Sequence, residues 1–319
     1  MTKLQHVSGF MKRILVCFAV LCFSIAIHAQ SFQRRYNPFE KGDDFHFGWI
    51  GGSVGYSMLH TSVPTVHSNG DLGGSIGAGY EFRNSGLWVN LGIQMSFHRS
   101  RLAIDEYTFE LPGQDTQGKN VTLGYRVNET DEIQWNYVDV PILVGYYYNG
   151  LYLGAGFKLS YAINPTTKTK GSYDLIGKYD EYPEPISDQP QHGYTLYNFA
   201  DKRANKMNVG VSLIGEIGYD LLSSLPNNSR TCHVLKLGFY LEYGLNNQLG
   251  KWDTPQAHIE AVGGGSAIPA MNVRVNPYLN TFSNPGRTVP FFAGVKLTYM
   301  IGGSRTARAG FHHGCMCYN

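Results

Sequence analysis

In "GLYLGAGFKLSYA" (150–162), Leu151, Leu153, Phe157, Leu159 and Tyr161 share one parity, and Gly154, Gly156, Lys158 and Ser160 the other. A period of two marks a strand with two unlike faces. Eight segments carry it: 47–59, 73–82, 86–98, 135–148, 150–163, 207–221, 233–246 and 289–303. After the first thirty residues, no run approaches the length of a membrane-spanning helix.

The connections between these segments alternate in length. "RNSG", "NG" and "LSSLPNNSRTC" are short, and Asn-Gly and Asn-Ser-Gly suit hairpins because Asn and Gly tolerate positive φ. The others, at 60–73, 99–134, 164–206 and 247–288, are long and polar. A soluble sandwich has no reason to gather its long loops at one end. A transmembrane β-barrel does, with short turns in the periplasm and long loops outside. The segments also reach or exceed the roughly 9–11 residues that cross a bilayer as a tilted strand. The expected fold is therefore all-β, an antiparallel up-and-down transmembrane barrel of eight strands.

The two faces support this reading. Leu87, Val89, Leu91, Ile93, Met95 and Phe97 form one side of the third segment, and Leu235, Leu237, Phe239, Leu241 and Tyr243 one side of the seventh. A lipocalin-like soluble barrel would turn that face inward. So much bulk on nearly every strand overfills a small barrel. Turned outward, it meets lipid, and the opposite face of glycines and opposite charges fits a narrow lumen. Gly154 and Gly156 then keep the wall thin where side chains crowd. Tyr146, Tyr147, Tyr148, Tyr152, Tyr219, Trp49 and Tyr299 lie near strand ends, where an interfacial aromatic belt is expected. Pro141 interrupts the fourth strand and calls for a bulge.

Composition changes the picture little. The chain has 319 residues, 38 glycines, 22 tyrosines and a net charge of +2 with no basic stripe, so no nucleic-acid partner is expected. The start reads as a Sec-type export signal: "MKR" (11–13), an apolar core at 14–27 and "HAQ", with cleavage after Ala29. Met11 also fits as a start. The expected organisation is a signal at 1–29, a periplasmic segment at 30–45, the barrel at 46–303 and a periplasmic tail at 304–319. The destination is the outer membrane, with its lipid as the first partner.

The signal ending "AQ", the strands "YVDVPILVGYYY" and "GLYLGAGFKLSY", and the closing "FFAGVKLTYMIGG" resemble the small PorT-like outer-membrane barrels of Bacteroidota. The resemblance spans about 45–303. It implies an outer-membrane location and eight strands. It supplies no activity, although a subset of that family is tied to secretion or gliding machinery.

Four groups of residues could carry function. Glu81, Asp139, Lys158, Glu216, Lys236, Glu242 and Lys296 fall on the lumenal parity. They make either a selective path or a plug of neutralising pairs, and an eight-stranded barrel is just wide enough to be filled. Asp139 is the topological candidate to meet Lys158. His60, His67, His98, His192 and His258 lie in or near outer loops beside Ser and Asp, as a barrel hydrolase or acyltransferase would need, but their spacing fits no motif. No catalytic residue and no cofactor is assigned. His312, His313, Cys315 and Cys317 in the tail could hold a soft metal, yet a flexible tail is the simpler reading and no metal site is assigned. Cys232 shares the periplasm with Cys315 and Cys317, so a disulfide between it and either is feasible. The long loops are open to an extracellular protein or glycan partner. The expected role is structural or surface-interacting, in binding, adhesion or secretion support, ahead of a narrow porin for small solutes and then a barrel enzyme.

Overall fold

The computed structural model describes residues 44–114, 118–148, 150–181, 184, 186, 196–204, 207–224, 232–249, 259–261, 273–275 and 287–304. The signal and N-terminal segment, the tail with Cys315 and Cys317, the Cys232 side chain, His192 and His258 lie outside the described residues, as does any disulfide among those cysteines.

Alternating sequence becomes long strands: β1 (Phe45–Thr61), β2 (Val66–Asn84), β3 (Leu87–Gln114), β4 (Asn120–Tyr148), β5 (Leu151–Lys178), β6 (Tyr197–Ala204), β7 (Gly210–Ser224), β8 (Cys232–Gly244), β9 (Ile259–Ala261), β10 (Val273–Val275) and β11 (Thr288–Ser304). Eight of them close antiparallel in the order β1-β2-β3-β4-β5-β7-β8-β11, with β11 back on β1. Closure pairs every strand on both sides, as hydrocarbon requires. β6 is a ninth strand that adds to the outer half of β5, and β9 pairs with β10 separately. Ser85 and Gly86, both at positive φ, make the two-residue turn between β2 and β3.

The apolar parity faces out in the lower half. Leu72 is 72% exposed, Tyr161 66% and Ile93 64%, whereas Lys158 on the other face is 1% exposed. On β3 the outward band runs from Leu87 to Phe97, and at the usual tilt this spans about 25 Å, the height of a barrel's hydrocarbon belt.

Above Phe97 the pattern inverts. The outward residues become polar, and the inward ones, Leu102, Ile104, Val121, Leu123, Tyr125, Val127 and Ile133, are buried. This is the ordinary inside-out pattern of a β-structure in water, and the change of face marks the membrane boundary. It also explains why 99–134 reads as loop in the sequence: most of it is strand, β3 and β4 running on as a hairpin. The 60–73 connection likewise shrinks to a turn between Thr61 and Val66. Most of 164–178 continues β5 through a bulge at Asn164-Pro165, where Asn164 takes φ 47°. A bulge tolerates proline, so Pro165 does not end the strand.

Pro141, by contrast, has no bulge. Pairing steps from Leu91↔Ile142 to Gln94↔Asp139 without a change of register, so the proline simply leaves a gap in the ladder opposite Gly92.

Candidate functional site

The lumen is built from one recurring device. Trp49 on β1 aligns with Gly79 on β2 and Gly92 on β3. Trp88 on β3 aligns with Gly145 on β4 and Gly154 on β5. Tyr152 on β5 aligns with Gly218 on β7 and Gly238 on β8. Tyr240 on β8 aligns with Gly294 on β11 and Gly55 on β1. Each row starts two strands after the last, and the fourth returns to β1. In the first three, the aromatic side chain lies against both glycines: a Cβ at Gly92 would stand 2.4 Å from the Trp49 indole, at Gly154 2.3 Å from the Trp88 indole, and at Gly238 2.2 Å from the Tyr152 hydroxyl. Glycine is needed because any side chain would fill the space the aromatic occupies. Trp49 and Tyr152, expected in the interfacial belt, are instead inside the barrel.

These rings hold cations. Lys236 Nζ lies 4.8 Å from the Trp88 ring centre and 4.0 Å from that of Tyr152. Lys296 lies 5.6 Å from Trp49 and 5.4 Å from Tyr240. Arg83 sits between Phe47 and Tyr147 at 5.1 and 4.8 Å. Attraction to the ring faces is strongest where water is excluded, as here.

Carboxylates complete the network. Glu81 accepts from Lys236 at 3.1 Å, from Arg83 at 2.7 Å and from Asn90 at 3.0 Å. Glu216 accepts from Lys296 at 2.7 Å and from the Tyr152 hydroxyl at 2.9 Å. Lys158 reaches Asp139 at 3.4 Å and donates a shorter bond to Glu242. Asp139 also accepts from Ser96 at 2.6 Å and Gln94 at 3.3 Å. All seven charged positions singled out in the sequence are therefore buried together in the lumen, and Asp139 does meet Lys158. Sequence reasoning missed Glu242 as that lysine's closer partner, and it missed Arg83 altogether. Arg83 donates to Asp220 at 3.2 Å. β2 and β7 stand opposite in the ring of eight, so this bond crosses the full lumen.

Higher up, His98 is not in a loop but inside the barrel. Its ring stacks on Trp135 at 5.5 Å and meets the edge of Phe292, and its Nδ1 is 2.9 Å from Ser57 Oγ. Its Nε2 has no partner among the described residues, so no carboxylate completes a Ser-His relay there. Leu59, Val66, Leu102, Ile104, Ile133 and Leu249 pack above it. Tyr137, in the same cluster, donates to Gln248 from the segment after β8. His67 lies outside, 2.9 Å from Asp105, and His60 is exposed.

The hairpin beyond the membrane carries an aromatic ladder on its inner face. Phe109 stacks on Tyr125 at 4.6 Å, Tyr125 meets Tyr173 at 5.5 Å, and Tyr173 meets Tyr197 at 5.2 Å, crossing β3, β4, β5 and β6. Burial, with Tyr197 nearby, pushes the Tyr125 phenol up to about 12.

A closed antiparallel ring, apolar outside at membrane height and charged inside, defines a transmembrane β-barrel. The family model for the outer membrane protein beta-barrel domain matches residues 29–250, more than half of the chain, and the chain belongs to that family. Its place is accordingly the outer membrane. No curated protein matches it. Among solved structures, the toluene transporter TodX of P. putida aligns at 7% identity and a TM-score of 0.12, covering 86% of this chain and 91% of that one.

Proposed function

We propose that this protein is a plugged outer-membrane barrel that presents an extracellular β-sheet for interaction at the cell surface. The carrying observation is the length of β3, β4 and β5, at 28, 29 and 28 residues. A bilayer uses about 9–11 of them. The remainder, with β6, forms a sheet that stands clear of the membrane on one side of the barrel. Such length serves no purpose in lipid, and long outer segments are generally functional. The lumen supports the same reading. Its charges are paired, with Arg83 and Asp220 bridging opposite walls, and Trp49, Trp88, Tyr152 and Tyr240 are buried among them, which favours a plug over a path for solutes. The Ser57–His98 pair lies within packed side chains and has no third member among the described residues, which favours a non-enzymatic role. The PorT-like resemblance accords with a surface or secretion-linked role. An extracellular protein or glycan is the partner class for the projecting sheet, and Sec-type export through the leader at 1–29 brings the chain to the outer membrane.

The test is to replace 104–129 by Asn-Gly, which joins the paired Ala103 and Thr130 by a two-residue turn. The shortened protein is expected to keep its barrel, seen as a heat-dependent shift in gel mobility, yet to reproduce the phenotype of a full deletion. Full complementation by the shortened chain would overturn the proposal. In planar bilayers the purified wild type is expected to give no discrete current steps, and reproducible steps would make it a narrow channel instead.

A further inference from the structure

We infer that the outward wall of β3, β4, β5 and β6, just above the hydrocarbon band, is a docking site for the phosphate-bearing headgroup of an outer-leaflet lipid. The register builds it. Arg101 pairs with Glu132, Glu132 with Lys168, and Lys168 with Lys202, a single row across four strands. One row below are Arg99 and Gln134, and one row above is Lys170. With Asp71 nearby, five cations (Arg99, Arg101, Lys168, Lys170, Lys202) face two carboxylates (Asp71, Glu132), an excess of three positive charges.

The carboxylates orient the arginines without consuming them. Asp71 lies 3.7 Å from Arg101 and 4.0 Å from Arg99, and Glu132 lies 3.4 Å from Arg99. The two side chains remain 58% and 43% exposed. The three lysines have no ion pair among the described residues. Among the described residues, the extracellular rim on the far side offers Arg287, which donates to the Leu245 carbonyl.

Height decides the class of ligand. Next to the β3 arginines on the membrane side are Phe97 on β3, Leu72 on β2 and Val54 on β1, all outward and exposed. A cavity of about 560 Å³ at this boundary is lined by those apolar residues together with Asp71, Arg99, Gln134 and Asn164. It opens where the β2 ladder is disrupted between Gly70 and Gly74. A surface that is greasy below and cationic above, in a wall that faces the bilayer, matches an amphiphile with acyl chains and an anionic head. An acidic protein would have no use for the lower half. The site goes beyond the surface-interaction reading and does not depend on it.

The experiment uses the full chain in detergent, titrated with lipid A in its phosphorylated and enzymatically dephosphorylated forms, with bound lipid counted by native mass spectrometry. Wild type is expected to retain the phosphorylated form, less so as salt is raised. Retention is expected to fall about tenfold or more for the dephosphorylated form and for the variant R99Q/R101Q/K168Q/K170Q/K202Q. Should that variant lose its heat-dependent mobility shift, K168Q/K170Q/K202Q, which leaves the Asp71 and Glu132 pairs intact, is expected to lose at least about threefold. K119Q/R126Q, farther out on the hairpin, is expected to match wild type. Equal retention by the charge-depleted variants, or of the dephosphorylated lipid, would overturn the inference. So would displacement by millimolar inorganic phosphate, which would mark a site for the free anion.

Discussion

Replacing Lys158 with methionine is expected to destabilise the barrel by about 3–5 kcal/mol, among the largest effects of any single charge removal in the chain. The reason lies in what remains. Lys158 is 1% exposed and serves two carboxylates, Asp139 at 0% and Glu242 at 2%. Without the ammonium, two buried carboxylates that shared it are left close together with no cation between them. Asp139 keeps Ser96 and Gln94 as donors, but Glu242 loses its direct cation. Neutralising the acids together with the lysine removes the conflict, because a buried pair contributes less than breaking it costs. The triple variant K158M/D139N/E242Q is therefore expected to recover most of the loss, with K158M/E242Q between the two. The temperature at which the compact gel band disappears orders the four proteins. If K158M is no less stable than the triple variant, the lumenal charges are not paired as described.

The same lysine shows what the sequence can and cannot disclose. Its orientation follows from parity alone: Phe157 and Leu159 share the lipid-facing side of a period-two strand, so Lys158 between them must face the other way. Asp139 follows from adjacency, since β4 and β5 are joined by a tight turn. Glu242 does not follow, because β8 lies two strands round the ring and its height relative to β5 is set by barrel shear rather than by any local spacing. Arg83 was hidden for a different reason: it stands beside the "NSG" turn and reads as part of it. The outer halves of β3, β4 and β5 were hidden by physics. In water the apolar residues move to the inner face, so the alternation that identifies a lipid-facing strand reverses at the boundary and looks like its end. Leu102 and Ile104, two residues apart but on the opposite parity to Phe97, carry that reversal.

The lumenal glycines give the second large expectation. Trp88 is 2% exposed and lies across Gly145 and Gly154. Trp88→Ala is expected to cost about 3–5 kcal/mol, through lost burial and the cavity left behind. Gly154→Ala should also be costly, about 1–3 kcal/mol, because its methyl would stand 2.3 Å from a ring that Gly145 confines on the same wall. The two losses share one cause, so they should not add. Once Trp88 is gone, the methyl at 154 enters vacant space, and its nearest remaining neighbour is the Val144 carbonyl at 3.3 Å. In the Trp88→Ala background, Gly154→Ala is expected to cost less than about 0.5 kcal/mol, giving a coupling of about 0.5–3 kcal/mol. Unfolding of the four proteins in detergent by urea measures the cycle. Additivity would mean that Gly154 is required for some other reason, such as strand geometry, and that the aromatic-on-glycine rows do not build the lumen wall. The same cycle on Trp49 and Gly92 asks whether the device repeats around the ring. There a methyl at 92 would also approach the Ala78 carbonyl at 2.9 Å, so part of its cost should survive the loss of the indole.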